Sequence, residues 1–124
     1  DGVHVCPEIV RMVTRLKKPE DFVLVTDALS PAGTKGGKAN GEEVLLQGGV
    51  FRRVSDGVVA GSALTMLKGM ENLSKWGLGI GGAAMAASET PARLHKLDFG
   101  FLQSGARAYF NIIDNNFKLL ETVM

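Results

Sequence analysis

Asp27 closes the run Phe22-Val23-Leu24-Val25-Thr26, and His4 stands in Asp1-Gly2-Val3-His4-Val5, just ahead of a helix start. A carboxylate beyond the carboxyl end of a buried parallel strand sits where (β/α) barrels and open α/β sheets place catalytic groups. There it could accept a proton and return it during a reaction. The same position suits an Asp that caps the following turn, and position alone leaves both readings open. His4 occupies a second strand-to-helix loop on the rim that carries Asp27, so the two groups could converge on one ligand. The alternative for His4 is a solvated surface histidine without a role.

The chain does not encode a metal centre of its own. A structural zinc site takes four Cys and His ligands, and a catalytic one takes about three plus water. Two His and one Cys are present, and His95 is remote from His4 and Cys6. Gly77-Leu78-Gly79-Ile80-Gly81-Gly82 fits the dinucleotide pattern G-x-G-x-x-G. That fingerprint needs a strand before it, whereas Leu67–Trp76 reads as helix, so a helix–turn–helix link is expected instead. Gly61-Ser62 follows Val59-Ala60 and precedes a helix. Such small residues let backbone N–H groups approach a ligand, although a tight turn explains them as well.

These residues need elements to position them. Pro7 suits the first position of a helix and Glu8 its first turn. Ile9, Met12, Val13 and Leu16 repeat at helical spacing, and Pro19 stops the element, which predicts an amphipathic helix over Pro7–Lys17. Phe22–Val25 predicts a strand buried on both faces, as in parallel sheets. A helix feeding such a strand is half of a β/α repeat. From Ala28 to Gly41 the chain reads as loop. Glu43–Gln47 and Val50–Val54, separated by Gly48-Gly49, read as a hairpin, and Ser55-Asp56-Gly57 marks a second turn before Val58-Val59. Thr65 can cap a helix running to about Trp76, with Gly77 past its end. A further helix is expected over Gly82–Ser88 and a short turn of helix from Thr90-Pro91. Strands are expected in Phe99–Leu102, Ala106–Asp114 and Phe117–Met124, with a turn at Asn115-Asn116.

Composition narrows the function classes. Lys and Arg total 14 against 13 Asp and Glu, too balanced for a dedicated nucleic-acid binder. No apolar stretch reaches the length of a membrane span. The lone Cys6 fits a reducing, cytoplasmic compartment. Sixteen glycines in 124 residues point to many tight turns or close backbone approaches. The chain opens on Asp1 without a basic segment leading into an apolar one, so it is expected to start inside a longer protein.

Several stretches together carry a family resemblance. Asp1-Gly2-Val3-His4-Val5, Leu24-Val25-Thr26-Asp27-Ala28, Pro31-Ala32-Gly33, Ala60-Gly61-Ser62-Ala63-Leu64-Thr65-Met66 and Thr90-Pro91-Ala92-Arg93 occur in family order and spacing. In these the chain resembles the carboxyl-terminal third of the N-acetylglucosamine-6-phosphate deacetylase family of amidohydrolases. The resemblance implies an α/β fold: the end of a (β/α)8 TIM barrel plus part of a small β-sandwich. Residues 1–35 would be the end of the barrel, 36–60 a β-hairpin segment, 61–97 helices packed on the barrel, and 98–124 sandwich strands. A whole barrel takes about 250 residues, more than this chain has.

The resemblance also implies chemistry. The family hydrolyses the acetamido group of N-acetylglucosamine 6-phosphate to glucosamine 6-phosphate and acetate, using a water activated by a divalent metal (zinc or iron-like). Asp27 matches the family's general base and acid, and would at most be a secondary ligand of the cation. Asp1, Gly2, Val3 and His4 match a loop that binds the amino-sugar phosphate. Val59, Ala60, Gly61 and Ser62 match a second substrate-binding loop. The family's metal ligands match nothing here, so the 124 residues alone are expected to be inactive; the full-length protein is expected to be a homodimer. Two alternatives remain: another amidohydrolase, such as a deaminase or cyclic amidase, and a non-enzymatic β-rich module that binds a sugar or partner chain.

Overall fold

The computed structural model describes residues 1–124. Helix α1 spans Pro7–Leu16, with Pro7 at its first turn, Glu8 near the positive end of the dipole and Arg15 near the negative end. A single 3₁₀ turn at Pro19–Asp21 then redirects the chain. Phe22–Thr26 runs extended from there.

That run corrects one expectation. It pairs with no strand, and Val23 and Val25 are 42% and 69% exposed. The sequence reading required neighbouring strands on both edges, and none of the 124 residues supplies them. Its inner side is nonetheless anchored. Leu24 N–H donates to Ala86 O at 2.8 Å, and Phe22 and Leu24 pack on a small core of Leu73, Ala83 and Ala86, with Val10 of α1 beside them. No barrel is visible: the chain combines helices with two antiparallel sheets.

The first sheet is a meander of β1 (Gly36–Ala39), β2 (Glu42–Gln47), β3 (Val50–Arg53) and β4 (Val59–Ser62), in that spatial order. Gly48 and Gly49 both take positive φ, as the tight β2–β3 hairpin requires, and Gln47 pairs with Val50 across it. Strand β1 falls in the segment expected to be loop, and Gly61-Ser62, expected as loop or tight turn, form the end of β4. Phe51 and Val44 are fully buried on the inner face against Ala39, with Leu29, Ala60 and Ala63 around them.

Thr65 caps α2 (Met66–Leu73), its hydroxyl accepting from Lys68 N–H at 3.2 Å. A wide turn at Ser74–Leu78 contains Gly77 at φ +122° and leads into α3 (Gly79–Ala84). A second wide turn, Met85–Glu89, leads into α4 (Thr90–Leu94). The G-x-G-x-x-G stretch thus links helices and follows no strand. The tail forms a two-stranded hairpin, β5 (Phe110–Ile113) with β6 (Leu119–Val123). Its turn is fixed by Asp114, whose Oδ1 accepts from the N–H groups of Asn116 and Lys118. Those bonds, that to Lys118 first, hold the Asp114 carboxyl below its usual pKa. Phe99–Leu102 is no strand: Gly100 sits at φ +92°, and its carbonyl accepts from Ser88 Oγ at 2.7 Å.

Candidate functional site

The loop before α1 is built around the Asp1 carboxylate. Its Oδ1 accepts from Val3 N–H at 2.9 Å and His4 N–H at 3.1 Å, which folds residues 1–4 into a tight arc. Its Oδ2 lies 2.5 Å from His4 Nδ1. Gly2 permits the arc. It has φ +87°, and a Cβ there would meet the Trp76 ring at 3.3 Å, so a side chain would be both strained and crowded.

Asp27 reaches the same place from the other direction. It ends the extended run, and its Oδ2 lies 3.4 Å from His4 Nε2. His4 therefore stands between two carboxylates, with Asp1 on Nδ1 and Asp27 facing Nε2. Their exposures differ: the side chain of Asp1 is 10% exposed, that of His4 34% and that of Asp27 64%. Asp1 is turned inward and Asp27 outward.

The backbone at Asp27 is held in an uncommon shape. Its φ is +53°, the left-handed region that costs an L-residue about 1 kcal/mol or more. Strand β4 fixes it there. Ser62 N–H donates to Asp27 O at 2.7 Å, Leu29 N–H donates to Ser62 O at 3.1 Å, and Ala28 and Ser62 form a short parallel bridge. Thr26 Oγ1 also accepts from Ala28 N–H at 3.3 Å. The Ser62 side chain is fully buried and accepts from Leu64 N–H at 2.9 Å, closing the link into α2.

A cavity of about 420 Å³ opens beside these groups. Asp1, His4, Thr26 and Asp27 give it a polar end, while α1, the extended run and Trp76 line it with apolar surface. Such a site can orient a polar ligand at one end and hold a carboxylate ready for proton transfer. The structure thus brings together Asp1, His4 and Asp27. Val59, Ala60, Gly61 and Ser62 do not line this cavity; Ser62 holds the Asp27 carbonyl and Gly61 packs close behind it.

The residues do not make a metal site by themselves. Asp27 and His4 offer two donors, Asp1 is spent on His4 and its own loop, and no group of three His, Cys, Asp or Glu side chains is arranged to hold a metal ion. Two lining residues escaped the sequence reading. Trp76 backs the Asp1–Gly2 arc, and its carbonyl accepts from Thr14 Oγ1 at 3.4 Å; being the one tryptophan, followed by Gly77, it could have been flagged. Gly69 lets α2 approach the extended run, since a Cβ there would meet Leu24 at 3.1 Å. No local pattern announced that contact.

No protein-family model matches the chain. Individual proteins do. A chain of Escherichia coli strain K12, whose name provisionally assigns it as an N-acetylgalactosamine-6-phosphate deacetylase, is 37% identical over 120 residues, covering 93% of this chain and 71% of that one. N-acetylglucosamine-6-phosphate deacetylase of Vibrio furnissii is 33% identical over 129 residues, covering 98% of this chain and 31% of that protein. Among solved structures, N-acetylglucosamine-6-phosphate deacetylase of Thermotoga maritima superposes with a TM-score of 0.88 at 34% identity, covering 99% of this chain and 35% of that one. The Pasteurella multocida enzyme of the same name gives 0.89 at 25% identity, covering 99% and 33%. The chain thus spans about a third of the length of most of these relatives. With one relative 37% identical and matched over most of its own length, and with this chain's backbone superposing almost end to end on about a third of the solved deacetylases, the chain belongs to the N-acetylhexosamine-6-phosphate deacetylase family.

Proposed function

We propose that the full-length protein carrying this chain hydrolyses the acetamido group of an N-acetylhexosamine 6-phosphate, releasing acetate and the amino-sugar 6-phosphate. N-acetylglucosamine 6-phosphate is the substrate named for most of the relatives above. The observation that carries the reading is the convergence of His4 and Asp27, 3.4 Å apart at the polar end of one cavity.

In this reading Asp27 is the proton carrier. Water adds to the acetamido carbonyl carbon and gives a proton to the Asp27 carboxylate. The tetrahedral adduct then collapses: the C–N bond breaks, acetate forms, and Asp27 returns the proton to the departing nitrogen. An amine leaves poorly until that nitrogen is protonated, so one group serving both steps suits the chemistry. Asp27 is well exposed toward the cavity and can meet water directly. His4 binds the sugar phosphate portion from the neighbouring loop, with Gly2 and Val3 shaping that loop. Val59, Ala60, Gly61 and Ser62 form the second substrate-binding segment, acting through the backbone they hold.

A divalent cation belongs to the proposal, but its ligands are not found among these residues, where Asp27 would be at most a secondary one. Residues 1–35 are read as the end of a (β/α)8 barrel whose other strands lie alongside Phe22–Thr26. The same reading makes the 124 residues inactive alone, and the full-length protein a cytoplasmic homodimer. No helix here is long and apolar enough to cross a membrane.

The test is release of acetate from N-acetylglucosamine 6-phosphate and N-acetylgalactosamine 6-phosphate by the full-length protein with added divalent cation, wild type beside Asp27→Asn. Asn cannot carry the proton, and a fall in turnover of about 10²–10⁴-fold is expected. Near-normal turnover by the Asn variant would remove Asp27 from the mechanism.

A further inference from the structure

We infer that Asp1 is a positioning residue for His4: its carboxylate keeps the imidazole proton on Nδ1 and turns Nε2 toward Asp27. This differs from a role in touching substrate, which the family resemblance assigns to the whole loop. Both Asp1 oxygens are already engaged, Oδ1 by the N–H groups of Val3 and His4 and Oδ2 by His4 Nδ1. An ionised carboxylate only accepts hydrogen bonds, so the Nδ1 atom facing Asp1 at 2.5 Å must carry hydrogen, whereas Nε2, 3.4 Å from Asp27, makes no hydrogen bond to it. The partner of a ring nitrogen sets which nitrogen is protonated and how the ring lies.

Burial separates the two carboxylates. Asp1, at 10% exposure, has both oxygens engaged by its own loop; Asp27, at 64%, is open to solvent. The loop has little freedom to turn Asp1 outward, because Gly2 is wedged against the Trp76 ring at a φ open mainly to glycine. Three bonds to one side chain and a ring behind the loop therefore fix the direction in which Nε2 points.

The activity arm of the test rests on the deacetylase reading; the spectroscopic arm does not. In the full-length protein, Asp1→Asn keeps an oxygen for the Val3 and His4 N–H groups but presents an NH₂ to Nδ1. The ring must then accept at Nδ1 and carry its proton on Nε2. With ¹⁵N-labelled histidine, and His4 signals assigned by their loss in His4→Asn, the imidazole pattern should switch from Nδ1-protonated to Nε2-protonated. The kcat/KM for N-acetylglucosamine 6-phosphate should fall about 10-fold or more, through KM, as a hydrogen bond to the charged substrate is lost. In the His4→Asn background the same change at Asp1 should cost nothing further. Asp1→Glu, which restores a carboxylate, should return the Nδ1-protonated pattern and part of the activity, and it decides the matter should the Asn variant fail to fold. An unchanged imidazole pattern in Asp1→Asn overturns the inference, as does a rise in KM that persists undiminished in the His4→Asn background. Wild-type protein that shows the Nδ1-protonated pattern but no deacetylation would defeat the proposed reaction and leave the positioning role standing.

Discussion

Gly61 lies directly behind Asp27: a Cβ added to the glycine would fall 3.0 Å from the Asp27 carbonyl oxygen and 2.6 Å from Leu29 Cγ. The acid is thus backed by a residue with no side chain, on a strand hydrogen-bonded to it. Gly61→Ala should force that strand away from Asp27–Leu29. A destabilisation of about 1–3 kcal/mol is expected from overpacking of this kind, with loss of deacetylation beyond what the unfolded fraction explains. Denaturant unfolding and acetate release on the same sample check both.

The left-handed backbone at Asp27 leads to a second expectation. Glycine adopts φ +53° without the clash that an L-residue meets there, although it loses more entropy on folding. Asp27→Gly should therefore leave the full-length protein as stable as wild type or more so by about 0.5–1 kcal/mol, while abolishing turnover. A drop in the unfolding midpoint would show that the side chain, through His4, stabilises the fold more than its backbone strains it.

Acid should weaken α2 through Glu71. Its carboxylate accepts from Lys68 Nζ at 2.8 Å and from Lys75 Nζ at 2.5 Å, and these two bonds, that to Lys68 first, lower its pKa from 4.5 to about 2. The folded state thus binds this proton more weakly than the unfolded state. The contribution to stability is complete above pH 4.5 and is lost as pH falls toward 2. Glu71→Gln should unfold more readily than wild type near neutral pH, and the gap should close over that window. Thermal midpoints measured against pH for both proteins test it; a gap that widens on acidification contradicts the assignment.

The elements most legible in the sequence are those whose ends carry their own chemistry. Pro7 and Glu8 start α1, Gly48-Gly49 turns the β2–β3 hairpin, Thr65 caps α2, and Asn115-Asn116 lies in the last turn. Elements defined by a partner were hidden. Gly36-Gly37 has no strand preference, and β1 exists because β2 lies beside it. Gly61-Ser62 reads as a loop or tight turn of small residues, yet it ends the strand between β3 and Asp27. Phe22–Val25 showed the opposite failing: its apolar run suggested two covered faces, and this chain covers one. In the site, Asp27 and His4 were readable from their place beside an apolar run and a helix start. The inward turn of Asp1 was not, because it depends on an arc closed by Gly2 and Trp76.

The short β3–β4 turn at Ser55–Gly57 has a reach that its surface position conceals. Arg53 and Asp56 clasp each other there, and Asp56 Oδ1 also takes the Val58 N–H at the entrance to β4. The far end of that same strand grips the Asp27 carbonyl. A distortion from insertions or graft sequences placed at this outwardly harmless corner would therefore travel along four residues of β4 and arrive at Asp27. For anyone engineering the protein, the rim of the small sheet is mechanically tied to the backbone of Asp27 and is a poor place for a tag.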